Sequence, residues 1–178
     1  KEHAVTTLPS TRSPQFAIVF FVFLFFLALN SSPYQISDTA NFYFEGLLTF
    51  NGYLPYQDFN DNKGPLFYYL LSVPAALTGW NMMGGIVLFR ILDCAVFFSL
   101  CRLLKGLRLS TGSRIAAMAA FIFAYSAAFS LRDETIYSEV PELLLRTLGY
   151  TSYLVEGSIF RAGIFFGIAT LFRQTAVV

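Results

Sequence analysis

Phe16-Ala17-Ile18-Val19-Phe20-Phe21-Val22-Phe23-Leu24-Phe25-Phe26-Leu27-Ala28-Leu29 is a run of apolar residues without one polar side chain. It is shorter than the roughly 20 residues needed to span a bilayer. The flanks Ser13-Pro14-Gln15 and Asn30-Ser31-Ser32 are uncharged, however, and complete the crossing. A cleaved signal peptide would look similar, but Ala28-Leu29-Asn30 lacks the small-x-small cleavage pattern, which favours a retained helix. The whole chain agrees: 56% of residues are apolar, 13% are charged and mean hydropathy is +0.58. That is about half the charge of an average soluble domain. Lipid is the natural solvent for such a composition.

The same figures exclude other classes. A net charge of +1 leaves no basic excess with which to neutralise a run of phosphates, so a nucleic-acid partner is not expected. Cys94 and Cys101 lie seven apart in one apolar run, share a helix face and form neither a CxxC pair nor a metal cluster. His3 is the single histidine, so Ser-His-Asp triads and histidine metal sites are not available.

Beyond the first run, residues 30–65 turn to tyrosine, asparagine, aspartate and glycine. Ser37 can cap a short helix there, with Ala40, Tyr43, Phe44, Leu47 and Leu48 at helical spacing and Asn51-Gly52 as its stop. Such a helix would lie on the membrane surface. Residues 54–65 then read as a constrained turn region of prolines and Asx residues.

Leu66 to Trp80 and Met82 to Leu104 are separated only by Asn81. If both crossed, the basic cluster of Arg102, Lys105, Arg108 and Arg114 would face outward, against the positive-inside bias. Leu66 to Trp80, broken by Pro74, is therefore read as interfacial or re-entrant. Arg90 and Asp93 lie within the next span, at about 2.5 to 3.5 kcal/mol each on insertion scales. Their i,i+3 spacing predicts an ion pair packed against neighbouring helices. Ile115 to Leu131 follows as an uncharged span, then Glu142 to Val155, a tight turn at Glu156-Gly157-Ser158, and Ile159 to Phe172. Gly163 and Gly167 form a GxxxG pair, expected to pack a neighbouring helix of the same fold.

The expected fold is an all-α, polytopic membrane helical bundle with interfacial helices in its first outer loop. Its spans cover about 14–32, 82–104, 114–131, 142–156 and 158–174, and the outer loop covers 33–81. The N-terminus, the Arg102 to Arg114 cluster and Arg161 fall inside. The first loop and the segment Arg132 to Pro141 then meet at one outer face, with Asp38, Glu45, Asp58, Asp61, Asp133, Glu134, Glu139 and Glu142 in or beside them. Two acidic loops at one membrane face mark a candidate site. Lys1 is not a methionine and Val178 falls inside an apolar run, so the chain reads as an N-terminal fragment of a longer protein, inactive alone.

Asp58 to Gly64 resembles a calcium loop at first sight. It has Lys63 where that loop needs glycine and Tyr69 where it needs a bidentate glutamate, so it is set aside. Asn30-Ser31-Ser32 fits a short glycosylation pattern beside the membrane.

A joint pattern is more specific. Asp38 follows a span; Gly52-Tyr53-Leu54-Pro55-Tyr56-Gln57-Asp58-Phe59 and Lys63-Gly64-Pro65-Leu66 lead into an aromatic run; Arg90 lies early in the second span. In these features the chain resembles the GT-C membrane glycosyltransferases, among them the protein O-mannosyltransferases and the aminoarabinose transferase of lipid A. Ser138-Glu139 is similar to the family's acidic position at the outer end of its fourth span, and Arg173 to one near the end of the fifth. Where many relatives carry an aspartate-glutamate pair, this chain has Asp38-Thr39.

The resemblance covers roughly the first half of the family's membrane module. It implies a multi-pass protein of a prokaryotic plasma membrane that moves a sugar from a polyprenyl-phosphate carrier to a lipid, glycan or protein acceptor on the outer face. Asp38 would be the general base, with Glu139 orienting the acceptor or sharing the acid/base work. Lys63 would hold the lipid phosphate and Arg173 would assist. Tyr56 and Tyr68 would line the sugar subsite, and Asp58 would complete the substrate-binding set. The donor is a substrate and no resident cofactor is implied, while divalent-metal dependence stays open. The rival class is a transporter or channel subunit with a polar pathway around Arg90, Asp93 and Arg146. A third is an assembly protein built on the Gly163 and Gly167 face.

Overall fold

The computed structural model describes residues 14–29, 38–59, 62–130 and 136–173. Ser37, the Asn30-Ser31-Ser32 pattern, Asp61, Asp133 and Glu134 lie outside the described residues.

The architecture is all-α. Seven helices follow one another among the described residues: α1 (Pro14–Leu29), α2 (Asp38–Phe50), α3 (Pro65–Thr78), α4 (Met83–Gly106), α5 (Thr111–Ser130), α6 (Glu139–Tyr150) and α7 (Ile159–Thr170). A π-helical turn, Thr151–Val155, extends α6 without a break, and Glu156 donates its amide back to the Thr151 carbonyl. A π turn holds one surplus residue compared with an α turn. Gly157, at φ 67°, then reverses the chain, and Ser158 caps α7 by accepting the Arg161 amide at 3.4 Å.

Apolar side chains form two cores. Phe23 and Leu27 of α1 pack with Phe97 and Leu104 of α4 and with Met118 and Ile122 of α5. The second core joins Phe42, Tyr43 and Leu47 of α2 to Phe67, Tyr68 and Leu71 of α3, Phe89 and Val96 of α4, Ile136, Val140 and Phe172. Glycines set the closest approaches. A β-carbon on Gly46 would lie 2.5 Å from that of Leu71, so α2 rests directly on α3. Gly106 meets Val155 and Gly149 meets Phe166 in the same way.

The Gly106 contact, with Gly85 against Ile136 at the opposite end of α4, makes α4 and α6 run in parallel. The bundle therefore has two unlike ends. One gathers the start of α6 and the end of α7. The other joins the end of α4 to the α6–α7 turn, where Glu156 bridges Arg102 at 2.7 Å and Arg161 at 3.1 Å.

Several expectations are corrected. Pro74 does not break α3, which continues to Thr78; the Thr78 hydroxyl donates to the Pro74 carbonyl at 2.9 Å. The buried face of α2 is rotated from the expected one: Phe42 is buried, while Phe44 is exposed and stacks on Trp80. Gly163 and Gly167 pack against nothing in the described chain, for a β-carbon on either would meet open space. Their face of α7 points outward, and Gly149 on α6 makes the contact with α7 instead. Among the described residues, no helix is long and apolar enough to cross a membrane.

Candidate functional site

Asp38 opens α2 and is exposed. Phe42 is one turn on, so the two side chains are helical neighbours with β-carbons about 5–6 Å apart. The Lys63 ammonium lies over the Phe42 ring, 5.1 Å from its centroid. A cation over a ring face is attracted by the ring quadrupole. Lys63 thus rests on the ring of Phe42, and Asp38 lies one turn from that residue along α2.

The segment carrying Lys63 is attached to the end of α7. The Gly64 amide donates to the Phe172 carbonyl at 2.9 Å and the Leu66 amide to the Leu171 carbonyl at 3.0 Å. Arg173 comes next along the chain and pairs with Glu139, the first residue of α6, at 2.5 Å. The second carboxylate oxygen of Glu139 accepts from the Ser138 hydroxyl at 3.2 Å. Glu139 also sits in the first helical turn, where a carboxylate is stabilised by the unsatisfied amides of the helix end. The Lys63 segment and the Arg173–Glu139 pair, from three distant parts of the sequence, therefore lie at one end of the bundle.

The remaining candidates divide. Asp58 is occupied in its own turn, accepting the Leu54 amide at 2.7 Å. Tyr56 is exposed, has φ 69° and donates its hydroxyl to the Lys63 carbonyl. Tyr68, expected to line a sugar subsite, is 0% exposed; its ring packs edge-on against Phe59 and Phe67 in the core. A ring enclosed in this way offers no face to a ligand.

Two further residues belong to the surroundings. Glu142, buried one turn beyond Glu139, pairs with Arg146 at 3.0 Å. The i,i+4 spacing of Glu142 and Arg146 is the sequence signal for that pair. Away from this end, the expected Arg90–Asp93 ion pair forms at 2.8 Å, with Asp93 buried. The partner the sequence did not reveal is Tyr125 of α5, whose hydroxyl donates to the other Asp93 oxygen.

Among the described residues no cluster of three or more His, Cys, Asp or Glu side chains could hold a metal ion. The chain matches no protein-family model, and comparison with curated proteins and with solved structures gives no match either.

Proposed function

We propose that the chain is part of a membrane glycosyltransferase that transfers sugar from a polyprenyl-phosphate carrier, with its site at the end of the bundle where α6 begins and α7 ends. The observation that carries this reading is the attachment of the Lys63 segment to Leu171 and Phe172. It joins the main chain next to Lys63 to the residues just before Arg173, and so puts a first-loop cation at the same end of the bundle as the Arg173–Glu139 pair, as a reaction on an anionic lipid donor requires.

In the reaction, Asp38 accepts the proton of an acceptor hydroxyl or amine as that atom bonds to the anomeric carbon. The bond from that carbon to the phosphate oxygen breaks, and the electron pair leaves with the polyprenyl phosphate. Lys63, a compact charge, stabilises the departing phosphate, and Arg173 adds a planar donor whose orientation is held by Glu139.

A lipid setting is supported by the outward face of the bundle. Phe21 and Phe25 of α1, Val87 and Ile91 of α4, Phe123 of α5 and Phe160 of α7 are all exposed. Large apolar side chains exposed on four helices are suited to cover by lipid or a partner. The Arg90–Asp93–Tyr125 network pairs the two charges in the middle of α4 and lowers the cost of placing them in lipid. Along α3, Tyr69, Val73 and Leu77 form one exposed stripe, the pattern of a helix lying in the interface.

The direct test is to incubate the full-length protein with a radiolabelled polyprenyl-phosphate sugar and measure release of polyprenyl phosphate. Release dependent on Asp38 and Lys63 supports the proposal. Solute flux through proteoliposomes without any sugar transfer would favour the transporter reading.

A further inference from the structure

The peptide group joining Lys63 to Gly64 is held from both sides. Its carbonyl accepts the Tyr56 hydroxyl, and its N–H donates to the Phe172 carbonyl at 2.9 Å. Pro65 has no amide to place, and the next one, on Leu66, is taken by Leu171.

Each contact depends on an unusual residue choice. A β-carbon on Gly64 would lie 2.1 Å from the Leu171 oxygen, 2.5 Å from the Leu171 carbonyl carbon and 2.7 Å from that of Phe172. These are backbone atoms, which cannot swing aside as a side chain can. Only glycine permits the approach.

Tyr56 is unusual in another way. Its φ of 69° lies in the left-handed region, which glycine or asparagine would adopt more readily. Burial does not account for the tyrosine, whose ring is exposed. Its turn is independently fastened: the Tyr56 amide donates to Phe59 at 2.7 Å, Asp58 accepts from Leu54, and the Phe59 ring rests on Tyr68. The hydroxyl is therefore delivered from a fixed base.

We infer that Tyr56 and Gly64 are positioning residues that clamp the Lys63–Gly64 peptide between the first-loop turn and the end of α7, holding Lys63 in register with Arg173 for the donor phosphate. This rests on the proposed glycosyltransferase reading. Lys63 lies outside the helices, and its ammonium rests over the Phe42 ring. Fixing its main chain leaves only the side chain to search, and less ordering remains to be done on binding. The role differs from the sugar contact expected of Tyr56: the ring acts through Lys63.

The test uses full-length protein in lipid nanodiscs, with hydrogen exchange read at the Gly64 and Leu66 amides and donor kinetics measured alongside. Tyr56→Phe keeps the ring and removes only the hydroxyl. It is expected to speed exchange at Gly64 about 10-fold while α6 and α7 amides are unchanged, and to raise donor KM several-fold with a smaller fall in kcat. Gly64→Ala is expected to lose exchange protection at both amides together with donor binding. Because Gly64→Ala can also fail to fold, Tyr56→Phe decides. Wild-type exchange at Gly64 and wild-type donor KM in Tyr56→Phe overturn the clamp while leaving the enzyme reading intact. Absence of any donor turnover by the wild-type protein overturns the enzyme reading and the catalytic purpose of the clamp together.

Discussion

The Lys63 ammonium stands 5.1 Å from the centre of the Phe42 ring, and Phe42 is one helical turn from Asp38. Under the proposed reaction Asp38 would take the acceptor's proton and Lys63 would hold the departing phosphate. Asp38→Asn preserves shape and hydrogen bonding and removes proton acceptance. Transfer by the full-length protein should fall about 100-fold or more, with an unchanged melting curve. Near-normal turnover in this variant would remove Asp38 from the mechanism.

Lys63→Ala should act on binding and departure together, raising donor KM and lowering kcat. Arg173 is tied to Glu139, so the loss caused by Arg173→Ala should overlap with that caused by Glu139→Gln. A double-mutant cycle on stability is expected to give a coupling of at least about 0.5 kcal/mol. Strict additivity would show that the 2.5 Å contact carries no energy.

The glycines offer a contrast within one protein. Gly46→Ala pushes a methyl onto Leu71 at 2.5 Å and should destabilise by about 1 to 3 kcal/mol. Gly163→Ala and Gly167→Ala meet open space and should be neutral or stabilising by up to about 1 kcal/mol through helix propensity. Denaturant unfolding of the three variants in the same detergent decides it; equal losses would disprove this assignment of faces.

Sidedness follows from the two unlike ends of the bundle. Single cysteines at Gln57 and Ser110 should respond oppositely to an impermeant thiol reagent in intact cells: position 57 labels and position 110 does not. The reverse result would put the site on the cytoplasmic side and end the proposed reaction scheme.

Most helix boundaries were legible because apolar runs stop at recognisable punctuation. Asn51-Gly52 ends α2 and Glu156-Gly157-Ser158 separates α6 from α7. The Arg90–Asp93 pair was legible because i,i+3 neighbours meet on any helix. Faces were harder. Periodicity gave Gly46 no weight, yet Gly46 makes the close contact that turns α2, burying Phe42 and exposing Phe44. The GxxxG spacing of Gly163 and Gly167 carries no information about what stands opposite it. Lys63 and Glu139 could be named from motifs, but their placement at one end of the bundle could not. It depends on backbone hydrogen bonds from Gly64 and Leu66, which any sequence can make, to residues near the far end of the chain. Tyr125 was hidden for a related reason, since its position along α5 matches Asp93 only after the helices pack.

The surplus residue in Thr151–Val155 is absorbed where it stands. A π turn takes up one extra residue in a wider loop of chain, and the α winding before it is left undisturbed. The Glu156 amide reaches back to the Thr151 carbonyl and the Ser158 amide to the Ser152 carbonyl, so two carbonyls at the end of the helix are already satisfied where the chain reverses at Gly157. The wide turn thus serves as the stop of its own helix, doing with main-chain atoms what a capping side chain does elsewhere.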